Sequence, residues 1–198
     1  MTTAERSLRA NLSLTLDGRY HGAGGPADLS PIVPYAVTDV ARDHLARLHR
    51  GATTALLGRG SAQGFMDYWP PVADDENADP RDRGYAAWLR DTDKVVLSTT
   101  LTEAPWPNTR IMSGPVAQIV GELMSTGEGD ILVNSSPSLI KPLLRADLID
   151  RLHIMVNPEI AGAGERLFED GLPATRWSLV CHEAGELGEL ALMYDRAR

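Results

Sequence analysis

Leu8, Ala10, Leu12, Leu14 and Leu16 alternate with Arg9, Asn11, Ser13 and Thr15. A period of two marks a strand with one buried face. Asp17-Gly18 ends it, and a Gly/Pro-rich loop follows from His21 to Pro34. The period then changes. Ala41, Leu45 and Leu48 recur at helical spacing, with Thr38 placed as N-cap and Gly51 as C-terminal stop. Ala52–Gly58 is predicted as a buried strand that runs into the turn Gly58-Arg59-Gly60-Ser61. A short helix from about Ser61 is predicted to carry Phe65 and Met66 and to end near Trp69-Pro70-Pro71. The acidic, aperiodic run Asp74–Pro80 reads as a solvated loop. A helix near Arg81–Arg90 leads to a short buried strand, Lys94–Ser98, and Thr109–Met112 is another short strand.

Pro115 opens the next helix, whose apolar stripe is Val116, Ile119, Val120 and Leu123, and Gly127 ends it. Asp130–Asn134 is a buried strand. Ser136-Pro137 reads as N-cap and first turn of a helix that Pro142 must shorten or kink. Leu152, Ile154 and Val156 mark one more strand, and two further strands lie near Trp177–His182 and Leu187–Tyr194. Strands and helices alternate from Ala52 to Val156, which predicts parallel strands with right-handed crossovers. The last two strands follow each other directly and so should be antiparallel. The expected fold is therefore α/β: a three-layer α-β-α arrangement around a mostly parallel mixed sheet with an antiparallel C-terminal edge. No repeat or linker divides residues 1–198, so a single domain is expected.

Composition narrows the partners. The net charge of −8 argues against nucleic acid as a main partner, because a phosphate backbone needs clustered Lys and Arg. It leaves room for one small anion in a local pocket. The single cysteine, Cys181, permits no intramolecular disulfide and reads as a small core residue. The N-terminus lacks an apolar signal core, and no apolar run approaches the roughly 20 residues that span a bilayer. A soluble, cytoplasmic protein without a membrane partner is the expectation. Walker A, nucleophile-elbow and metal-binding His-pair motifs are absent, and no metal is expected. His21, His44, His49, His153 and His182 are scattered and read as surface or edge positions.

Three strand ends remain, and a parallel sheet would bring them to one side. They are Gly58-Arg59-Gly60-Ser61, Ser98-Thr99-Thr100 and Asn134-Ser135-Ser136. Ligands of open α/β sheets bind outside the carboxyl ends of the strands. Two helix N-termini, several hydroxyls and one arginine make a cradle for a pyrophosphate or ribose phosphate. The spacing Gly58, Gly60, Gly64 is not the Rossmann fingerprint.

The same residues resemble a known superfamily. Gly58-Arg59-Gly60-Ser61 looks like the phosphate turn of dihydrofolate reductases. Val96–Thr99 resembles their strand ending in Ser/Thr, and Asp130–Leu139 their strand and turn before a helix. Leu14–Gly18, Leu148–Pro158 and Gly162–Phe168 are similar to the reductase domain of riboflavin biosynthesis. The resemblance spans roughly residues 8 to 195. It implies a dihydrofolate reductase-like fold, NADPH binding and hydride transfer to a small pterin- or pyrimidine-like heterocycle. It places Arg59 and Ser61 on cofactor phosphates, Ser98 and Thr99 near the adenosine 2′-phosphate, and Asn134, Ser135 and Ser136 along the nicotinamide-side pyrophosphate. Asp17 would face the substrate as a binding group or proton source. Ser135 stands where that family usually has glycine. A homodimer is also implied. Two other readings stay open: a flavin or deazaflavin in the same cleft, and a non-catalytic domain that keeps the fold to bind a ligand or partner.

Overall fold

The computed structural model describes residues 6–198. Met1–Glu5, where the missing signal core was read, lie outside the described residues. Eight strands form one sheet in the order β4-β3-β2-β5-β1-β6-β8-β7. These are β1 (Leu8–Thr15), β2 (Ala52–Gly58), β3 (Asp93–Leu97), β4 (Thr109–Met112), β5 (Asp130–Asn134), β6 (Arg151–Asn157), β7 (Arg176–Ala184) and β8 (Leu190–Ala197). The first six are mutually parallel, and the β7–β8 hairpin joins β6 antiparallel. That is the expected topology. Five α-helices cover the two faces: α1 (Asp39–Leu48), α2 (Arg59–Ala73), α3 (Pro80–Asp91), α4 (Val116–Thr126) and α5 (Pro137–Arg145).

Side-chain alternation divides the core. Leu8, Ala10, Leu12 and Leu14 of β1 pack with Leu56, Val95, Ile131 and Val133 against the apolar stripes of α4 and α5. Their sequence neighbours face the other way, where Ala55, Leu57 and Val96 meet α2 and α3 through Ala62, Met66, Tyr85 and Leu89. Each large aliphatic side chain so buried contributes roughly 1.5–3 kcal/mol. Among the described residues no helix is long and apolar enough to cross a membrane.

Several sequence readings are corrected. α2 begins at Arg59 rather than Ser61 and continues through Pro70 and Pro71 to Ala73. Proline's fixed φ suits a helix, and only hydrogen bonds of the last turns are lost. Pro115 is the N-cap of α4 rather than its first helical residue. The acidic loop is partly structural, because Asp79 caps α3 through the Arg81 N–H at 2.8 Å and pairs with Arg81 and Arg42. Cys181 lies half-buried on edge strand β7, not in the core. His21, His44 and His153 are buried rather than superficial, since each finds a packing or hydrogen-bonding niche that a single sequence does not reveal.

Candidate functional site

Parallel strands place all their carboxyl ends on one side, and a cleft of about 540 Å³ opens there across β2, β3 and β4. Its walls come from four segments. Gly58, Arg59 and Gly60 carry β2 into α2, and Ser98, Thr99 and Thr100 follow β3. Ser113 and Gly114 link β4 to α4, and Ser138 lies in the first turn of α5. The Arg59 guanidinium donates to Thr100 Oγ1 at 3.0 Å, and no carboxylate lines the cleft among the described residues.

The helix starts explain what this cleft can hold. α1 and α3, which do not reach it, are capped by side chains: Thr38 accepts from Ala41 N–H, and Asp79 accepts from Arg81 N–H. α2, α4 and α5 all reach it, and none has a side-chain cap or an acidic residue in its first turn. The first N–H groups of a helix lack intrahelical partners and carry partial positive charge. Three such ends, one arginine and five hydroxyls make an electropositive, donor-rich cleft suited to an anion with several phosphate groups. A Cβ at Gly58 would come within 2.9 Å of Ser138 Oγ and displace that hydroxyl from the cleft wall.

The predicted residues do not all reach the cleft. Gly58, Arg59, Gly60, Ser98 and Thr99 line it, while Ser61, Asn134, Ser135 and Ser136 do not. Ser61 Oγ donates to Ser135 O at 2.6 Å. Ser136 is fully buried, where its Oγ accepts the Gly58 N–H at 3.1 Å and donates to Asn134 O at 3.1 Å. Asn134 is buried against Asn11 and Tyr85. These four brace the cleft from behind. The α4 contribution, Ser113-Gly114, was missed because those residues sit in an aperiodic connection whose position depends on β4 pairing with β3. Ser138 was read only as part of a helix start.

Asp17 lies at the end of β1, outside this cleft. Its carboxylate accepts from Thr15 Oγ1 at 2.6 Å, Arg19 Nε at 2.8 Å, and the N–H groups of Ala161 and Gly162, each at 3.1 Å. The Thr15 hydroxyl first, then Arg19 and the two backbone donors, hold it well below the usual carboxylate range. This arrangement clips the 161–162 loop to the strand end and favours the ionised carboxylate. A second, apolar groove of about 380 Å³ lies over β1, β6 and β8. Leu14, Leu16, Ile154, Phe168, Trp177 and Tyr194 are among its walls.

The profile of the RibD C-terminal domain family matches residues 6–188. No curated protein sequence matches the chain. Among solved structures, a pyrimidine reductase-like protein from Corynebacterium diphtheriae superposes with a TM-score of 0.69 at 17% identity, over 98% of this chain and 93% of that one. A diaminohydroxyphosphoribosylaminopyrimidine deaminase/5-amino-6-(5-phosphoribosylamino)uracil reductase from Thermotoga maritima gives 0.66 at 14% identity, over 98% of this chain and 57% of that one. Dihydrofolate reductase from Enterococcus faecalis, complexed with NADP(H), gives 0.60 at 17% identity over 98% of both chains. At these identities the structural likeness shows the fold: dihydrofolate reductase-like.

Proposed function

The chain belongs to the RibD C-terminal domain family, and on that premise we propose that it is an NADPH-dependent reductase of a small pterin- or pyrimidine-like heterocycle. The observation that carries the reading is the cleft bounded by three helix N-termini without side-chain caps. The donor set fits a dinucleotide phosphate: uncapped N–H groups, Arg59, and the hydroxyls of Ser98, Thr99, Thr100, Ser113 and Ser138. Two neighbours support the choice of ligand, one bound to NADP(H) and one described as pyrimidine reductase-like.

In this reading Arg59 and the first turn of α2 bind phosphate, and Ser98–Thr100 and Ser113 hold the remaining phosphate and ribose oxygens. Ser61, Asn134, Ser135 and Ser136 fix the position of those donors rather than touching the cofactor. Bound NADPH supplies the hydride. Asp17 orders the loop at Ala161-Gly162, and the proton that accompanies the hydride comes from a group other than its ionised carboxylate. The reading extends to a homodimer, supported by the apolar groove and the exposed Leu179 and Val180 of edge strand β7.

The test is consumption of NADPH absorbance by the purified protein across a panel of pterins and aminopyrimidines, with NADH, reduced flavin and reduced deazaflavin as alternative donors. Turnover with NADPH and at least one heterocycle is expected. Turnover only with a flavin or deazaflavin donor would replace the cofactor assignment.

A further inference from the structure

The turn that ends β5 holds a serine in a conformation that favours glycine, since Ser135 has φ +47°. A side chain persists there only where its surroundings fix it. Three hydrogen bonds do so. The Ser135 N–H donates to Asn11 O at 3.0 Å, its carbonyl accepts from Ser61 Oγ at 2.6 Å, and its Oγ donates to Asn134 Oδ1 at 3.2 Å.

The third bond leads into a buried polar chain. His44 Nε2 donates to Asn11 Oδ1 at 3.1 Å, Asn11 Nδ2 to Asn134 Oδ1 at 2.7 Å, and Asn134 Nδ2 to the Tyr85 hydroxyl oxygen at 2.8 Å. Both carboxamides use both ends, so neither can flip without breaking two bonds. All four residues are at most 7% exposed. A buried, hydrogen-bonded network of this kind is rigid. It fastens α1, β1, β5 and α3 together at the Asn134 amide.

We propose that Asn134 is a positioning residue for the cofactor cleft. Its amide, clamped by Asn11 and Tyr85, holds Ser135 in the left-handed conformation. Ser135 then fixes Ser61, and with it the first turn of α2, where Arg59 and Gly60 face the cleft. The clamp does for serine what a glycine at 135 would do without help. This rests on the cofactor reading above.

A double-mutant cycle tests it by NADPH fluorescence titration and, without ligand, by thermal unfolding. Asn134→Ala is expected to raise the NADPH Kd at least tenfold. Ser135→Gly alone is expected to stay within threefold of wild type. The double variant N134A/S135G is expected to return to within threefold as well, because glycine needs no clamp. A double variant as weak as N134A overturns the proposal, since a merely structural loss would not be rescued at position 135. Should N134A fail to fold, Tyr85→Phe with and without S135G supplies the same cycle. Wild type that binds no NADPH refutes the cofactor reading, and the clamp is then judged on melting temperatures: recovery in the double variant supports it, additive losses overturn it.

Discussion

Arg59 starts α2 with its guanidinium on Thr100 and no carboxylate partner among the described residues, so its charge is available to a ligand. Charge-assisted bonds to phosphate are among the stronger ones. Arg59→Ala is expected to raise the NADPH Kd about tenfold, or about 1.4 kcal/mol, with unchanged melting temperature in the absence of ligand. His44 and His153 make a different prediction. Burial, chiefly, pushes His44 down to about 4 and His153 to about 2. The surroundings of His153 include His44 and the positive charges of Arg9, Arg151 and Arg47, and its ring nitrogens have no protein partner. Both histidines are neutral when folded and charge more readily when unfolded. Their contribution is therefore complete above the ordinary histidine value near 6.5 and is lost as pH falls from there toward 4. Each should remove about 1.4 kcal/mol per pH unit in that window. Urea midpoints at pH 7, 6 and 5 check this, and His153→Met should flatten the decline. At this scale the sequence was most legible where chemistry and position coincide, as at Arg59, Ser98 and Thr99. It was less legible at Asp17, whose Asp-Gly context does not show the four donors that come from Thr15, Arg19 and a loop some 145 residues away.

The helix starts fall into two sets, capped and cleft-facing. Asp79→Ala removes the cap of α3 and should cost about 1 kcal/mol of stability while leaving NADPH affinity unchanged. Gly58→Ala should do the reverse in kind. Its methyl group would sit 2.9 Å from Ser138 Oγ and turn that hydroxyl from its place in the cleft wall, which should weaken NADPH binding in a titration even where the protein remains folded. Equal losses of affinity in both variants would contradict the division of helices into capped and cleft-facing sets. The order and type of the elements were legible because short apolar strands and helical stripes succeed one another from Ala52 to Val156, with β3 and β4 as the one pair lacking a helix between them among the described residues. Helix ends were less so. Pro70 and Pro71 signal a stop by local rules, yet α2 passes through both. The third cleft helix, α4, was invisible as a site component because only the pairing of β4 with β3 brings Ser113-Gly114 beside Ser98.

The whole molecule is a sheet whose two halves differ. The β4-β3-β2-β5 half is sandwiched by helices and ends in the donor-rich cleft. The β6-β8-β7 half leaves an apolar groove and exposed Leu179, Val180, Leu187 and Leu190. Such a face suits a second copy of the chain, and light scattering should give twice the monomer mass at micromolar protein; Leu179→Glu with Val180→Glu should halve it. A monomeric mass for the wild type would refute the dimer and leave the cleft untouched. Nothing in the sequence pattern ranked these two halves, because exposure of a strand face depends on which helices return over it.

On the proposed reading, the cleft at the carboxyl ends of β2, β3 and β4 is built for NADPH. Fluorescence titration of the wild-type protein with NADPH tests it most directly. The expected result is saturable binding in the micromolar range, accompanied at 100 times Kd by about 2.7 kcal/mol of added stability and weakened by Arg59→Ala. Absence of any saturable signal up to millimolar NADPH would contradict the account.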